Sequence, residues 1–367
     1  MNVRGHLESL PPYIPIEPFE VLSARIGRDP SQIVKLDANE NPYGPLPIVR
    51  EALGKLDFPH IYPDPESRAL RASLAKFTSV PDEYLLAGAG ADELIDLLMR
   101  VFLEPNDYVL SCPPTFGMYS FDAALNAGRC VEVPRHEDFS LDIGSILKAV
   151  EAYHPKLFFI TSPNNPDGSL IPPDVMDELL GLPTLIVLDE AYIEFADKHL
   201  GVGLSRMREV PLRENLVVLR TFSKWAGLAG LRIGYGAFPG WLMPTLWKSK
   251  QPYNVNVAAS VAAQVSLEYV DELSNVVQLL RQERERLFQC LQQIPYLKPY
   301  PTRSNYILCR VIGRDAAELK VSLAQEYGIF IRYFNKPGLR DHIRISIGRP
   351  EDTDALMRAL QQESKAS

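Results

Sequence analysis

Thr221-Phe-Ser-Lys224-Trp-Ala-Gly-Leu-Ala-Gly-Leu-Arg232-Ile-Gly-Tyr-Gly236 follows directly on an apolar run of strand length, Leu216-Val-Val-Leu219. The stretch sets a lysine in a turn of small residues at a strand end, with an arginine eight positions later in a glycine-flanked segment. Burial and neighbouring cations help such a lysine shed its proton, and the free amine is then a nucleophile suited to imine formation with an aldehyde. Ser223 and Arg232 offer donors to a phosphate. Ligands gather beyond the carboxyl ends of the strands in parallel α/β sheets, so a strand running into a ligand-binding turn points to that architecture.

Outward from this stretch, short apolar runs alternate with helical patterns from about Tyr84 to Gly236. That alternation predicts a mainly parallel sheet wrapped by helices. Tyr108–Cys112, Lys156–Ile160, Leu185–Leu188 and Leu216–Leu219 read as strands, and Asp92–Phe102 and Asp271–Gln293 as helices. After the long helix the pattern changes. Ser304–Cys309, Ile329–Ile331 and His342–Ser346 read as strands, with helices over Ala316–Tyr327 and Asp352–Ser364, which makes an α+β module. The loop-rich start, up to about Pro47, is expected to pack against that module. The expected division is therefore an amino-terminal arm with part of the small domain (1–47), a large ligand-binding domain (48–257) and a small carboxyl-terminal domain (258–367).

Composition narrows the function classes. A chain of 367 residues suits one large and one smaller domain. The net charge of -8 argues against a nucleic-acid or membrane-surface role, so any phosphate ligand needs cations gathered locally. Cys112, Cys130, Cys290 and Cys309 lie far apart, without a CxxC pair, and suggest neither zinc nor a disulfide framework. The six histidines form no ligand-spaced pair, so no metal is expected. Residues 1–15 mix charges, prolines and polar groups rather than forming a leader, and no long apolar span follows. A cytoplasmic location is the expectation.

The conspicuous polar residues stand at the ends of the predicted strands. Asn165 follows the Phe158-Phe159 strand, Asp189 and Tyr192 close the Leu185 strand, Ser223 and Lys224 follow the Val217 strand, and Phe116 follows the Tyr108 strand. Each suits a role on pyridoxal phosphate. Lys224 would hold the aldehyde as an imine and later shuttle a proton. Asp189 would pair with the protonated pyridine nitrogen. Asn165 and Tyr192 would hydrogen-bond the ring oxygen, and Phe116 would stack on the ring. Ala87-Gly-Ala-Gly90-Ala91-Asp92-Glu93 is a glycine-rich turn feeding an amphipathic helix, whose amides would cradle the phosphate together with Ser223 and Arg232. Taken singly, each has a plainer reading: a helix cap for the aspartate, a turn for Asn-Pro, a core residue for the phenylalanine. In this order they are hard to explain structurally.

At these residues the chain resembles the fold-type I pyridoxal-phosphate aminotransferases, most closely their histidinol-phosphate branch. Lys35-Leu-Asp-Ala-Asn-Glu-Asn-Pro-Tyr-Gly44, Tyr62-Pro-Asp-Pro-Glu-Ser67, Cys112-Pro-Pro-Thr-Phe-Gly-Met-Tyr119 and Asp189-Glu-Ala-Tyr-Ile-Glu-Phe195 carry the closer likeness, and it continues through Ser304–Leu308 and Ile343–Gly348. The resemblance implies a mainly parallel seven-stranded sheet and a homodimer with shared sites, Tyr62 crossing to the neighbouring cofactor phosphate. It places Ala91 and Asp92 in the phosphate cradle, Arg344 on the substrate carboxylate or phosphate, and Asn39 along the substrate pocket. It further implies transamination between histidinol phosphate and 2-oxoglutarate. Two positions depart from the family pattern: Phe116 stands where tyrosine is frequent, and the cradle reads Ala-Gly-Ala-Asp without a side-chain hydroxyl. With Phe19, Phe116 makes the pocket more apolar, which keeps an aromatic or broad-specificity aminotransferase as the alternative. A threonine-phosphate decarboxylase and a non-catalytic cofactor-binding sensor stand behind it.

Overall fold

The computed structural model of the chain describes residues 3–12 and 17–366. Met1 and Pro15, the two ends of the segment expected not to be a leader, lie outside the described residues. The strands, in chain order, are β1 (Val34–Leu36), β2 (Leu85–Gly88), β3 (Tyr108–Ser111), β4 (Arg129–Glu132), β5 (Leu157–Thr161), β6 (Leu185–Asp189), β7 (Leu216–Thr221) and β8 (Gly234–Ala237), followed by β9 (Leu297–Pro299), β10 (Tyr306–Val311), β11 (Ile329–Tyr333) and β12 (His342–Ser346). Seven of them form one sheet in the order β2-β8-β7-β6-β5-β3-β4, and five form a second, β1-β11-β12-β10-β9.

In the larger sheet the pairs from β4 through β7 are parallel, while β8 runs antiparallel to both β7 and β2. Every residue of β5, β6 and β7 is buried. Helices cover both faces, which is why these strands read as unbroken apolar runs and not as alternating ones. The reversed β8 matters for the site. Gly234 at its start pairs with Thr221 at the end of β7 and with Gly88 at the end of β2. Arg232, two residues before β8, and Gly90, two residues after β2, are thereby delivered to the same rim as the carboxyl ends of β3, β5, β6 and β7.

The smaller sheet takes a strand from each end of the chain. β1 lies parallel to β11, with Val34 opposite Ile329 and Leu36 opposite Ile331. Leu22 and Ile33 pack with Ala324 and Phe330, so the amino-terminal segment does lie against the carboxyl-terminal module. That segment is less loop-like than its composition suggests, because Phe19–Ile26 forms a helix ended by Gly27 in the left-handed conformation at φ 66. Asp315 caps the helix Ala316–Tyr327, accepting from Ala317 N at 2.7 Å and Glu318 N at 3.0 Å, the pairing that satisfies first-turn amides. Val257–Glu268, immediately past the expected division at 257, packs on the helices Pro47–Gly54 and Arg68–Thr78 beside the larger sheet.

Candidate active site

Parallel register brings the strand ends together. Thr161 at the end of β5 stands opposite Asp189 at the end of β6. The Asp189 carboxylate is enclosed: Oδ2 accepts from the Tyr119 hydroxyl at 2.6 Å, and Oδ1 accepts from Ala191 N at 2.9 Å. Burial pushes its pKa up to about 6, against the pull of those two hydrogen bonds. Among the described residues no cation pairs with it. A buried carboxylate held this way suits a cationic partner such as a pyridinium nitrogen.

Lys224 follows β7. Its Nζ donates to the Ala38 carbonyl at 3.2 Å and stands 6.0 Å from the Tyr192 ring centre. The Tyr192 hydroxyl accepts from Asn39 Nδ2 at 3.0 Å. Asn39 is almost wholly buried, with φ 56. Its Oδ1 accepts from Ser346 Oγ and its main-chain carbonyl from Asn305 Nδ2. The side chain is thus occupied at both ends, fixing Tyr192 to the smaller sheet. Asn39, expected along the substrate pocket, holds the Tyr192 hydroxyl in this geometry.

Arg344, on β12, is the second pole. Its Nη1 donates to Asn165 Oδ1 at 2.6 Å and its Nη2 to the Asp37 carbonyl at 3.0 Å, while Nε is buried without a partner. The guanidinium lies 5.1 Å from the Tyr306 ring and 5.5 Å from that of Phe334. Desolvation depresses its pKa. A buried guanidinium with a spare donor and no carboxylate in contact invites an anion, and its planar fork matches carboxylate or phosphate. Asn165 therefore orients Arg344 in this structure.

The phosphate end is more open. Gly90 precedes the helix Ala91–Phe102, whose amino terminus has no side-chain cap. The Arg232 guanidinium lies over this terminus and pairs with Asp92 at 2.8 Å. Gly90 sits at φ +85, which favours glycine, and a Cβ there would stand 2.5 Å from Arg232 Nη2 and push that side chain aside. A Cβ on Gly234 would meet Ala91 N at 2.5 Å. Free helix-start amides beside an arginine suit a phosphate. Here the Asp92 carboxylate holds Arg232 beside the main-chain amides at the helix start. Ser223 lies buried at the β7 end.

Two predicted residues stand apart. Phe116 is half-buried and meets Tyr119 edge to face at 5.5 Å, one ring away from Asp189. Tyr62 is 79% exposed and, among the described residues, stacks on Tyr253 at 4.7 Å. A cleft of about 470 Å³ opens beside Ser223, walled by Phe19, Lys35 and Arg349. The Phe19 ring lies 5.9 Å from Lys35 Nζ in this cleft.

Sequence reasoning missed Tyr119, Thr161 and Tyr306. Tyr119 closes the Cys112–Tyr119 motif, on the buried face of Met118–Leu125 with Asp122 and Ala123. Tyr306 donates to the Asn164 carbonyl at 2.6 Å beneath Arg344. Also missed is the buried cluster behind the site. Glu190 Oε2 accepts from Arg220 Nε at 3.1 Å and from Ser205 Oγ at 2.6 Å, and wholly buried Glu194 lies 3.7 Å from Arg220 Nη1.

Fold and site together define the fold-type I class of enzymes, with a strand-end lysine, a buried carboxylate and a phosphate cradle on one rim. Residues 31–360 match the family model described as aminotransferase class I and II. The chain is 56% identical, over 98% of its length and 86% of the relative's, to a protein of Nicotiana tabacum named histidinol-phosphate aminotransferase, chloroplastic. It is 50% identical to the histidinol-phosphate aminotransferase of Roseiflexus castenholzii, covering 98% of this chain and 97% of that one. Among solved structures, histidinol-phosphate aminotransferase from Sinorhizobium meliloti in complex with pyridoxal-5'-phosphate superposes with a TM-score of 0.90 at 28% identity, over 99% and 98% of the two chains. The chain belongs to the class I and II aminotransferases.

Proposed function

We propose that this enzyme transfers the amino group of histidinol phosphate to 2-oxoglutarate, giving imidazole-acetol phosphate and glutamate, a step of histidine biosynthesis. The observation that carries the substrate is the 56% identity over 98% of the chain with the tobacco enzyme. The residues present fit pyridoxal phosphate on three counts: an unpaired buried carboxylate at Asp189, an uncapped helix start under Arg232, and a lysine between them at the β7 end. When bound, that cofactor supplies an electron-withdrawing ring and a carbonyl that takes up the amino group.

The chain's own residues then divide the work. Lys224 would hold the cofactor aldehyde, and its amine would move a proton at the substrate α-carbon. Asp189 keeps the ring nitrogen protonated, and Tyr192, steadied by Asn39, donates toward the ring oxygen. Arg344, with its spare Nε, clamps the substrate's anionic group. The amides of Ala91 and Asp92, with Ser223 and Arg232, take the cofactor phosphate. Tyr62, exposed in one chain, reaches the phosphate of a second copy, so the working unit is a homodimer with shared sites. No helix among the described residues is long and apolar enough to cross a membrane, and the four cysteines are free. We place the enzyme in the cytoplasm, which fractionation of the native source tests.

The phenylalanines at 19 and 116 favour, as a second reading, an aromatic amino-acid donor. Purified protein given histidinol phosphate and 2-oxoglutarate should produce glutamate in step with donor loss and without carbon dioxide. Release of carbon dioxide without consumption of the keto acid would replace transamination by decarboxylation.

A further inference from the structure

Behind Asp189 runs a line of hydroxyl groups that the reaction as described does not use. Tyr119 is fully buried at the start of Met118–Leu125. Its hydroxyl lies 2.6 Å from Asp189 Oδ2 and 2.8 Å from Thr161 Oγ1. Thr161 Oγ1 lies 3.3 Å from Thr115 Oγ1, which itself donates to Asn164 Oδ1 at 3.0 Å.

The donor inventory fixes the direction of this line. An ionised carboxylate only accepts, and each hydroxyl has one hydrogen to give. The Tyr119 hydrogen therefore goes to Asp189, and the Thr161 hydrogen goes to Tyr119. Protonating Asp189 on Oδ1 would set its hydrogen against the Ala191 N–H. Protonating it on Oδ2 would turn both hydroxyls around and make Thr161 donate across the 3.3 Å gap to Thr115. Reversal exchanges the charge-assisted bond at Asp189 for neutral bonds, the last of them across 3.3 Å, so the line favours the carboxylate.

The tyrosine cannot swing away. Its ring stacks on Phe159 at 5.0 Å and meets Phe116 edge-on at 5.5 Å. Burial and the facing carboxylate hold its hydroxyl well above the ordinary tyrosine range, so it remains a donor.

We infer that Tyr119, backed by Thr161, is a positioning residue that keeps Asp189 ionised and aimed, so that the proton between this carboxylate and a pyridine ring resides on the ring nitrogen. The inference rests on the reading that pyridoxal phosphate meets Asp189.

The test uses holoenzyme loaded with pyridoxal phosphate carrying ¹⁵N in the ring, in wild-type, Tyr119→Phe and Thr161→Val forms. The ring ¹⁵N resonance reports where the proton sits, and titration of apoenzyme gives the cofactor Kd. Wild type shows the protonated resonance. Tyr119→Phe moves it toward the unprotonated position and weakens the cofactor about tenfold, the effect of one lost hydrogen bond to a charged group. Thr161→Val moves it the same way by less, and it decides the question if Tyr119→Phe does not fold. Tightly bound cofactor with a wild-type resonance in both variants overturns the inference and leaves the cofactor reading intact. A wild-type holoenzyme with an unprotonated ring nitrogen overturns the pairing with Asp189, and the inference with it.

Discussion

Asp189 is 4% exposed and enclosed by Tyr119, Thr161 and Ala191, whereas Arg232 and Asp92 leave 47% and 48% of their side chains in water and Tyr62 is 79% exposed. The ring end of the candidate site is closed within one chain. The phosphate end stays open. A half-exposed ion pair such as Arg232–Asp92 contributes little, because water and salt screen it. The same charges act strongly once covered and dried. On the proposed reading, one chain builds the electron sink alone, while the grip on the phosphate takes cover from a second copy, with Tyr62 as its reaching residue.

Substitutions at the two ends should separate accordingly. Lys224→Ala at the shared centre has the largest effect: turnover falls by about 10³-fold or more and the visible absorption of bound cofactor is lost. Retention of that band would remove Lys224 from its role. Arg344→Met lowers kcat/KM by about 10²-fold, the scale for truncating a buried charge that grips an anion, and leaves the cofactor spectrum alone. Steady-state kinetics with an absorbance scan checks both halves of that statement.

Tyr62→Ala weakens the cofactor by about tenfold, one hydrogen bond to an anion. Its sharper use is in mixing. Hybrids of Tyr62→Ala with Lys224→Ala chains contain one intact site if the tyrosine serves the opposite subunit, so random pairing restores about a quarter of wild-type sites. Activity no greater than that of the unmixed variants would place Tyr62 in its own chain's site.

The smallest effect concerns the cluster beneath the ring end. Glu194 is wholly buried, and desolvation pushes its pKa from an ordinary 4.5 to about 8 against the attraction of Arg220. Its folded form keeps a proton that the unfolded chain releases above 4.5, so its own contribution to stability is greatest below that pH and declines as pH climbs to about 8. Glu194→Gln cannot ionise. Its melting temperature should gain on wild type between pH 5 and pH 8, by about 2–4 °C for each kcal/mol. A constant difference would mean that Glu194 is already ionised in the fold.

Much of the ring end was legible in the sequence. Lys224, Asp189 and Asn165 each close a continuous apolar run, and the parallel sheet brings such ends to one rim. The short strands were harder to see. The Leu-Leu-Ala-Gly of β2 and the Gly-Tyr-Gly-Ala of β8 read as parts of glycine-rich turns, because glycine gives no alternation to detect. Position in sequence also hid what lies far apart. Tyr119 stands 70 residues from Asp189, and Asn39 bonds Tyr192 at 153 residues and Ser346 at 307. No local pattern announces such pairs. Asn39 was marked by its motif and given the pocket, yet its hydrogen bonds run to Tyr192 and the smaller sheet.

The central claim is the donor, and a competition measures it most directly: kcat/KM for histidinol phosphate against phenylalanine, with glutamate formation followed from 2-oxoglutarate. The near full-length relatives predict a preference for histidinol phosphate of about 10²-fold or more. Equal or better turnover of phenylalanine would contradict the assignment and hand the site to aromatic donors.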